Sequence, residues 1–132
     1  MGSKKALVLP CLIAHATTPA GLQLLTASKN NCNRIWDIRT GRVLPQRFKG
    51  HQNTCKNFIR CGFGPSDALI VGGSEDGMGY LWDKESGQVQ QVLRGHQGVV
   101  YDLAWNDKQA LLASCSDDGT VRTWWWNQSM LR

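Results

Sequence analysis

The stretch Ser114–Trp126, SCSDDGTVRTWWW, decides the fold, because Gly72–Lys84, GGSEDGMGYLWDK, repeats its frame without a gap. Ser116 stands eight positions before Trp124, and Ser74 stands eight before Trp82. A third copy, TASKNNCNRIWD, places Ser28 eight before Trp36. The three tryptophans are 46 and 42 residues apart. Self-similarity at such a period marks a chain of stacked supersecondary units, none of which can bury its apolar face alone.

Upstream of the second and third copies lie FKGHQNTCKNFIRCGFGP and LRGHQGVVYDLAWND, each with a Gly-His pair (Gly50-His51, Gly95-His96) followed by an alternating apolar strand. Gly-His, about 30 residues, then Trp-Asp, at a period of about 40–45, is similar to the WD repeat. From about Ala6 to Trp126 the chain resembles a WD-repeat β-propeller. The expected fold is all-β, a partial β-propeller of about three four-stranded antiparallel blades with the last lacking its outer strand. One WD-repeat domain then fills 1–132, with blade one at about 6–48, blade two at about 50–93, blade three at about 95–126 and a tail at 127–132. Strands are predicted near 7–16, 22–27, 32–38, 43–48, 54–62, 67–73, 78–84, 88–93, 98–105, 110–115 and 120–126.

The sharp turn between second and third strands needs residues that tolerate unusual backbone angles, and SEDG and SDDG supply them. The resemblance implies a structural network: His51, Ser74, Asp76 and Trp82 in one unit, His96, Ser116, Asp118 and Trp124 in the next, with Asp accepting from backbone and His, and Ser bridging to the indole. His, Ser and Asp also suggest a hydrolytic triad, but a triad has no reason to recur at the period of the fold. The chain is therefore read as non-enzymatic, with no catalytic residue, no metal site and no cofactor. GFGPSD and GGSEDG lack the glycine spacing and the Lys-Ser/Thr of a phosphate-binding loop.

The first unit departs from the pattern. Asn30 takes the place of the turn aspartate, and no Gly-His precedes it. Trp125 stands where Asp37 and Asp83 follow their tryptophans, and Asn33 and Gly79 occupy third-strand positions where the third unit has Val121, so looser packing is predicted in the first two units.

The net charge of +5 divides unevenly: residues 1–66 carry ten Lys/Arg against the single acid Asp37, and residues 67–132 carry five against nine. Cys11, Cys32, Cys55, Cys61 and Cys115 are an odd number without CxxC spacing, which points to a reducing compartment, cytoplasmic or nuclear. MGSKKALVLPCLIAHA mimics a signal peptide with Ala14-His15-Ala16 as its cleavage site, but the repeat continues beyond Ala16 and makes the segment a first strand. Myristoylation fails at Ala6, and no apolar run approaches the roughly 18 residues of a membrane span. Asn127-Gln128-Ser129 would be a glycosylation acceptor only in a secreted protein.

The family as a whole implies a scaffold for protein or peptide partners. LLTASKNNCNRIWDIR resembles the box by which many WD-repeat proteins dock onto the adaptor of cullin-RING ubiquitin ligases. Its Trp-Asp-x-Arg core is Trp36-Asp37-Ile38-Arg39, and the resemblance implies a substrate receptor that contacts the adaptor through Trp36, Asp37 and Arg39. A rival reading is an RNA-associated factor using Arg34, Arg39, Arg42, Arg47, Lys49, Lys56 and Arg60, although Phe48, Phe58 and Trp36 fall at positions the repeat pattern buries. Three blades make an arc with an open edge and bare faces. That predicts either a piece of a longer propeller or self-association, head to tail, of the basic and acidic ends.

Overall fold

The computed structural model describes residues 21–28, 30–54 and 56–127 in full and the backbone of 12–17. Eleven strands form three antiparallel sheets among these residues. The first contains β1 (Leu12–Thr17), β2 (Gln23–Ser28), β3 (Cys32–Asp37) and β4 (Arg42–Phe48) in that order. The second contains β5 (Cys61–Phe63), β6 (Leu69–Gly72), β7 (Gly79–Asp83) and β8 (Val89–Leu93). The third has β9 (Val100–Asn106), β10 (Leu111–Ser116) and β11 (Val121–Trp125), with β11 at its edge. Neighbouring strands follow one another in sequence, which gives the meander of an incomplete β-propeller. Ala14-His15-Ala16 lies within β1, paired with β2.

The middle sheet is covered on both faces. Successive side chains of a strand point to opposite faces, so in β6 Ile70 joins Leu25, Ile35, Phe48 and Trp82 in a core against the first sheet. Leu69 and Val71, one position to either side, join Leu93, Val100, Leu103 and Leu112 against the third. Hence β6 is buried at every position, whereas the outer β4 alternates exposed and sheltered residues. Phe48, at the end of β4, meets the Trp82 ring edge to face with centroids 6.2 Å apart.

Three expectations are corrected. The strand predicted at 54–62 contracts to Cys61–Phe63, and Phe58 is 79% exposed rather than buried. The strand predicted from 67 starts at Leu69, because Pro65–Asp67 form a 3-10 turn in which Ser66 and Asp67 hold φ of 55° and 52°. Asn33 and Gly79 are buried, while Val121 is 70% exposed. The reason is that β4 and β8 lay Phe48 and Leu93 opposite Asn33 and Gly79, whereas β11 has no outer neighbour among the described residues.

Candidate functional site: a buried polar network behind a capped rim turn

Each turn between second and third strands needs one left-handed residue; Gly77 and Gly119 supply it at φ 84° and 83°, and Asn31 does so at 61°. In the third sheet this turn presents Asp118 to His96. The His96 Nδ1 is 2.9 Å from Asp118 Oδ2, and its Nε2 is 2.7 Å from the Ser114 hydroxyl. The Trp124 indole N–H donates to the same Ser114 oxygen at 2.9 Å. The chain of donors closes if Nδ1 carries the proton toward Asp118 and Nε2 accepts from Ser114. The Thr120 hydroxyl and then the Gln97 N–H hold the Asp118 carboxyl well below the usual carboxylate range.

The serine bridging to the indole is thus Ser114, ten positions before Trp124, and not Ser116. Ser116 instead accepts from the Asp118 N–H at 3.2 Å and braces the turn. Ser74 does likewise, accepting from the Gln52 N–H at 2.8 Å and the Asp76 N–H at 3.4 Å. In the first sheet the hydroxyl ten before tryptophan is Thr26, which accepts from the Trp36 indole at 3.0 Å.

The second sheet departs furthest from the expected network. Gly72 stands ten before Trp82, so no hydroxyl is present, and the Trp82 indole donates to the Lys49 carbonyl at 2.7 Å. Asp76 accepts from the Tyr80 hydroxyl at 2.6 Å instead of from His51. That contact, after burial itself, helps push the Tyr80 phenol up to about 12. Both nitrogens of His51 are buried without a hydrogen-bond partner. The ring packs on Trp82, centroids 5.1 Å apart and planes at 78°. Burial lowers the His51 pKa to about 4, against an opposing pull from Asp76.

Ser114, His96 and Asp118 have the connectivity of a hydrolytic triad without access. The residue carrying the hydroxyl is 2% exposed, and its oxygen is occupied by Trp124. A nucleophile has to reach its substrate, so this arrangement supports strand register and turn geometry. Among the described residues, no three His, Cys, Asp or Glu side chains cluster as metal ligands. Cys32, Cys61 and Cys115 are free thiols, and burial drives the Cys61 thiol far above its ordinary range; Cys11 and Cys55 lie outside the described residues.

At the opposite end of the strands, residues 38–41 connect β3 to β4. Asp37 caps this turn: its Oδ1 accepts from the Arg39 N–H at 2.9 Å and the Thr40 N–H at 3.3 Å. Trp36 is committed to Thr26, and Asp37 to the cap. The Arg39 side chain is 71% exposed, its Nε 3.9 Å from Asp37 Oδ1, a surface contact worth little. Of the three residues in the box, Arg39 has its guanidinium turned to solvent. Among the basic residues, Arg34 is spent inward on the Leu44 carbonyl at 3.1 Å, while Arg42, Arg47, Lys49, Lys56 and Arg60 are exposed.

Residues 42–83 and 87–124 each match the WD domain, G-beta repeat, and together they cover more than half of the chain. The chain belongs to the WD-repeat family. It is similar to WD repeat-containing protein 26 homolog of Arabidopsis thaliana, 37% identical over 92 residues, which are 69% of this chain and 16% of that protein. GID complex subunit 7 of Schizosaccharomyces pombe is 34% identical over 103 residues, 76% of this chain and 20% of that protein. U5 small nuclear ribonucleoprotein 40 kDa protein of Dictyostelium discoideum is 37% identical over 75 residues, 56% of this chain and 21% of that protein. The chain therefore spans about a sixth to a fifth of the length of these curated WD-repeat relatives. No helix among the described residues is long and apolar enough to cross a membrane.

In this WD-repeat chain the hydroxyls of Thr26 and Ser114 were open to discovery from sequence, since both lie ten before a tryptophan. The serine eight before the tryptophan recurs in all three units and outweighs them as a pattern. Nothing in the spacing signals the capture of Asp76 by Tyr80, because Tyr80 stands where the third unit has Arg122.

Proposed function

We propose that this WD-repeat chain is a non-enzymatic scaffold for protein partners, and that Arg39 is the contact by which it docks onto the adaptor of a cullin-RING ubiquitin ligase as a substrate receptor. The observation that carries the reading is the exposed Arg39 guanidinium on a turn already held by Asp37. A planar fork on a pre-formed turn can grip a carboxylate or carbonyl with two hydrogen bonds at little ordering cost. One relative is by its name a subunit of a complex, which agrees with an assembling role.

A second reading, RNA association, is favoured by one finding that the sequence did not suggest: Phe58 is exposed between Lys56 and Arg60 and could stack a base. One relative is by its name part of a ribonucleoprotein. A single capture experiment from cells separates the two, using wild type, Arg39→Ala and Arg122→Ala, each with and without nuclease. The receptor reading expects adaptor in the wild-type and Arg122→Ala samples, insensitive to nuclease, and its loss with Arg39→Ala. Equal adaptor recovery from wild type and Arg39→Ala returns Arg39 to an ordinary solvated residue, and partners that vanish with nuclease favour RNA.

A further inference from the structure

A groove of about 660 Å³ runs between the first two sheets, and its walls differ in kind. On one side β4 supplies the half-buried Leu44 as an apolar floor, packed over the buried Ile35 of β3. On the other, the 3-10 turn and the β7–β8 turn supply Asp67, Asp83 and Glu85. The apolar floor alone selects no occupant. The carboxylates do.

Asp83 accepts from the Ser86 N–H at 2.9 Å, but the carboxylates of Asp67 and Glu85 have no hydrogen-bond or ion-pair partner among the described residues. Lys84 is the single cation of the lining, and its ammonium lies 5.3 Å from the centroid of the Phe63 ring. The groove is thus negative, although it is cut partly into the basic half of the chain, where Asp37 is the only acid before residue 67. Gln46 ties the two walls together, its Nε2 donating to the Glu85 carbonyl at 3.0 Å.

We infer that this groove takes an extended peptide of a partner protein in which one branched apolar residue is flanked by Lys or Arg. The apolar side chain seats on Leu44, which lies over the buried Ile35. In an extended chain the flanking residues point away from that floor, which turns their cations toward Asp67 and Glu85. Acidic peptides and nucleic acid are refused by like charge. The inference stands apart from the Arg39 contact and uses none of its residues.

The test titrates the full chain into fluorescein-labelled Lys-Arg-Leu-Lys-Arg and follows anisotropy. Lys-Arg-Gly-Lys-Arg and Glu-Asp-Leu-Asp-Glu serve as comparison peptides. The variants are Asp67→Asn/Glu85→Gln, in which Asn keeps the left-handed turn accessible, and Arg39→Ala. Thermal melts of both variants establish that they fold as wild type does. The leucine peptide should bind, more weakly as salt rises. Affinity should fall about tenfold or more for the glycine peptide and for the neutralised rim, and stay unchanged for Arg39→Ala. Absence of saturable binding up to about 1 mM peptide, equal affinity for the acidic peptide, or an unchanged affinity in Asp67→Asn/Glu85→Gln would each overturn the assignment.

Discussion

Acidification from pH 7 to 5 should destabilise this protein through one residue, His51. Its ring is buried with no partner for a second proton, and the folded pKa of about 4 lies well below the ordinary 6.5. The folded state therefore binds this proton less readily than the unfolded chain does. The stability involved is fully present above about pH 6.5 and is lost as pH falls toward about 4. At pH 5 almost every unfolded chain carries the proton, and about one folded molecule in ten does, which corresponds to a loss of about 2 kcal/mol. By pH 4 the loss reaches about 3 kcal/mol, a large part of the about 5–15 kcal/mol that holds a typical domain together. Most carboxylates titrate below this window, and Asp102, whose carboxyl burial pushes up, takes its proton more readily folded than unfolded and so pulls the other way. The assay is thermal unfolding at pH 7, 6 and 5 in wild type and in His51→Gln, which cannot take up a proton. Wild type should lose roughly 10 °C in Tm between pH 7 and 5, and the variant should lose much less. Parallel pH profiles for the two proteins would show that His51 accepts its proton without resistance, and the account of an isolated, desolvated ring would be wrong.

Two further outcomes are expected. Ser114→Ala should cost about 1–3 kcal/mol, because it strips the shared partner from His96 and Trp124, whereas Ser116→Ala removes a turn brace and should cost less, about 0.5–1 kcal/mol; urea unfolding of the two side by side checks the order, and a larger loss at Ser116 would restore the expected network. Gly73→Ala should fail to give a cooperative melt, since its Cβ would run into the backbone carbonyl of Val100 across the junction of the second and third sheets, and a wild-type melting curve would show that the junction can give way.

The fold was legible because its two fixed points, Gly-His and Trp, sit at strand ends where the chain must turn or bury a large ring. Those demands are local and recur with each unit. The strand expected at 54–62 fails for the complementary reason: NTCKNFIRCGF offers apolar residues at useful spacing, but a strand forms only where a neighbour pairs with it, and spacing alone cannot show that β6 pairs only with Cys61–Phe63 on that side. The site was half legible. The resemblance linked Asp118 to His96, yet it gave the indole to Ser116, and only packing shows that Ser114, two residues earlier on the same strand, takes it. The groove left no trace in any motif, since Ile35 and Leu44 lie in β3 and β4 while Asp67 and Glu85 come from separate turns that only the packing of the two sheets brings to one place.

The junctions on either side of the middle sheet are fastened differently. Ser74 and Val100 exchange two backbone hydrogen bonds of 2.9 Å each, and the Arg60 N–H donates to the Tyr101 carbonyl at 2.8 Å, so the second and third sheets are laced main chain to main chain. Among the described residues, the first and second are tied by side chains: Asn31 Oδ1 to the Asn53 N–H, Gln46 to the Glu85 carbonyl, and the Trp82 indole to the Lys49 carbonyl. Main-chain lacing fixes spacing whatever the side chains are, while side-chain ties can be edited one substitution at a time. The seam between the first and second sheets is held instead by the apolar core of Leu25, Ile35, Phe48, Ile70 and Trp82 together with those side-chain ties, so a substitution in either reaches that junction directly, whereas the other keeps its spacing.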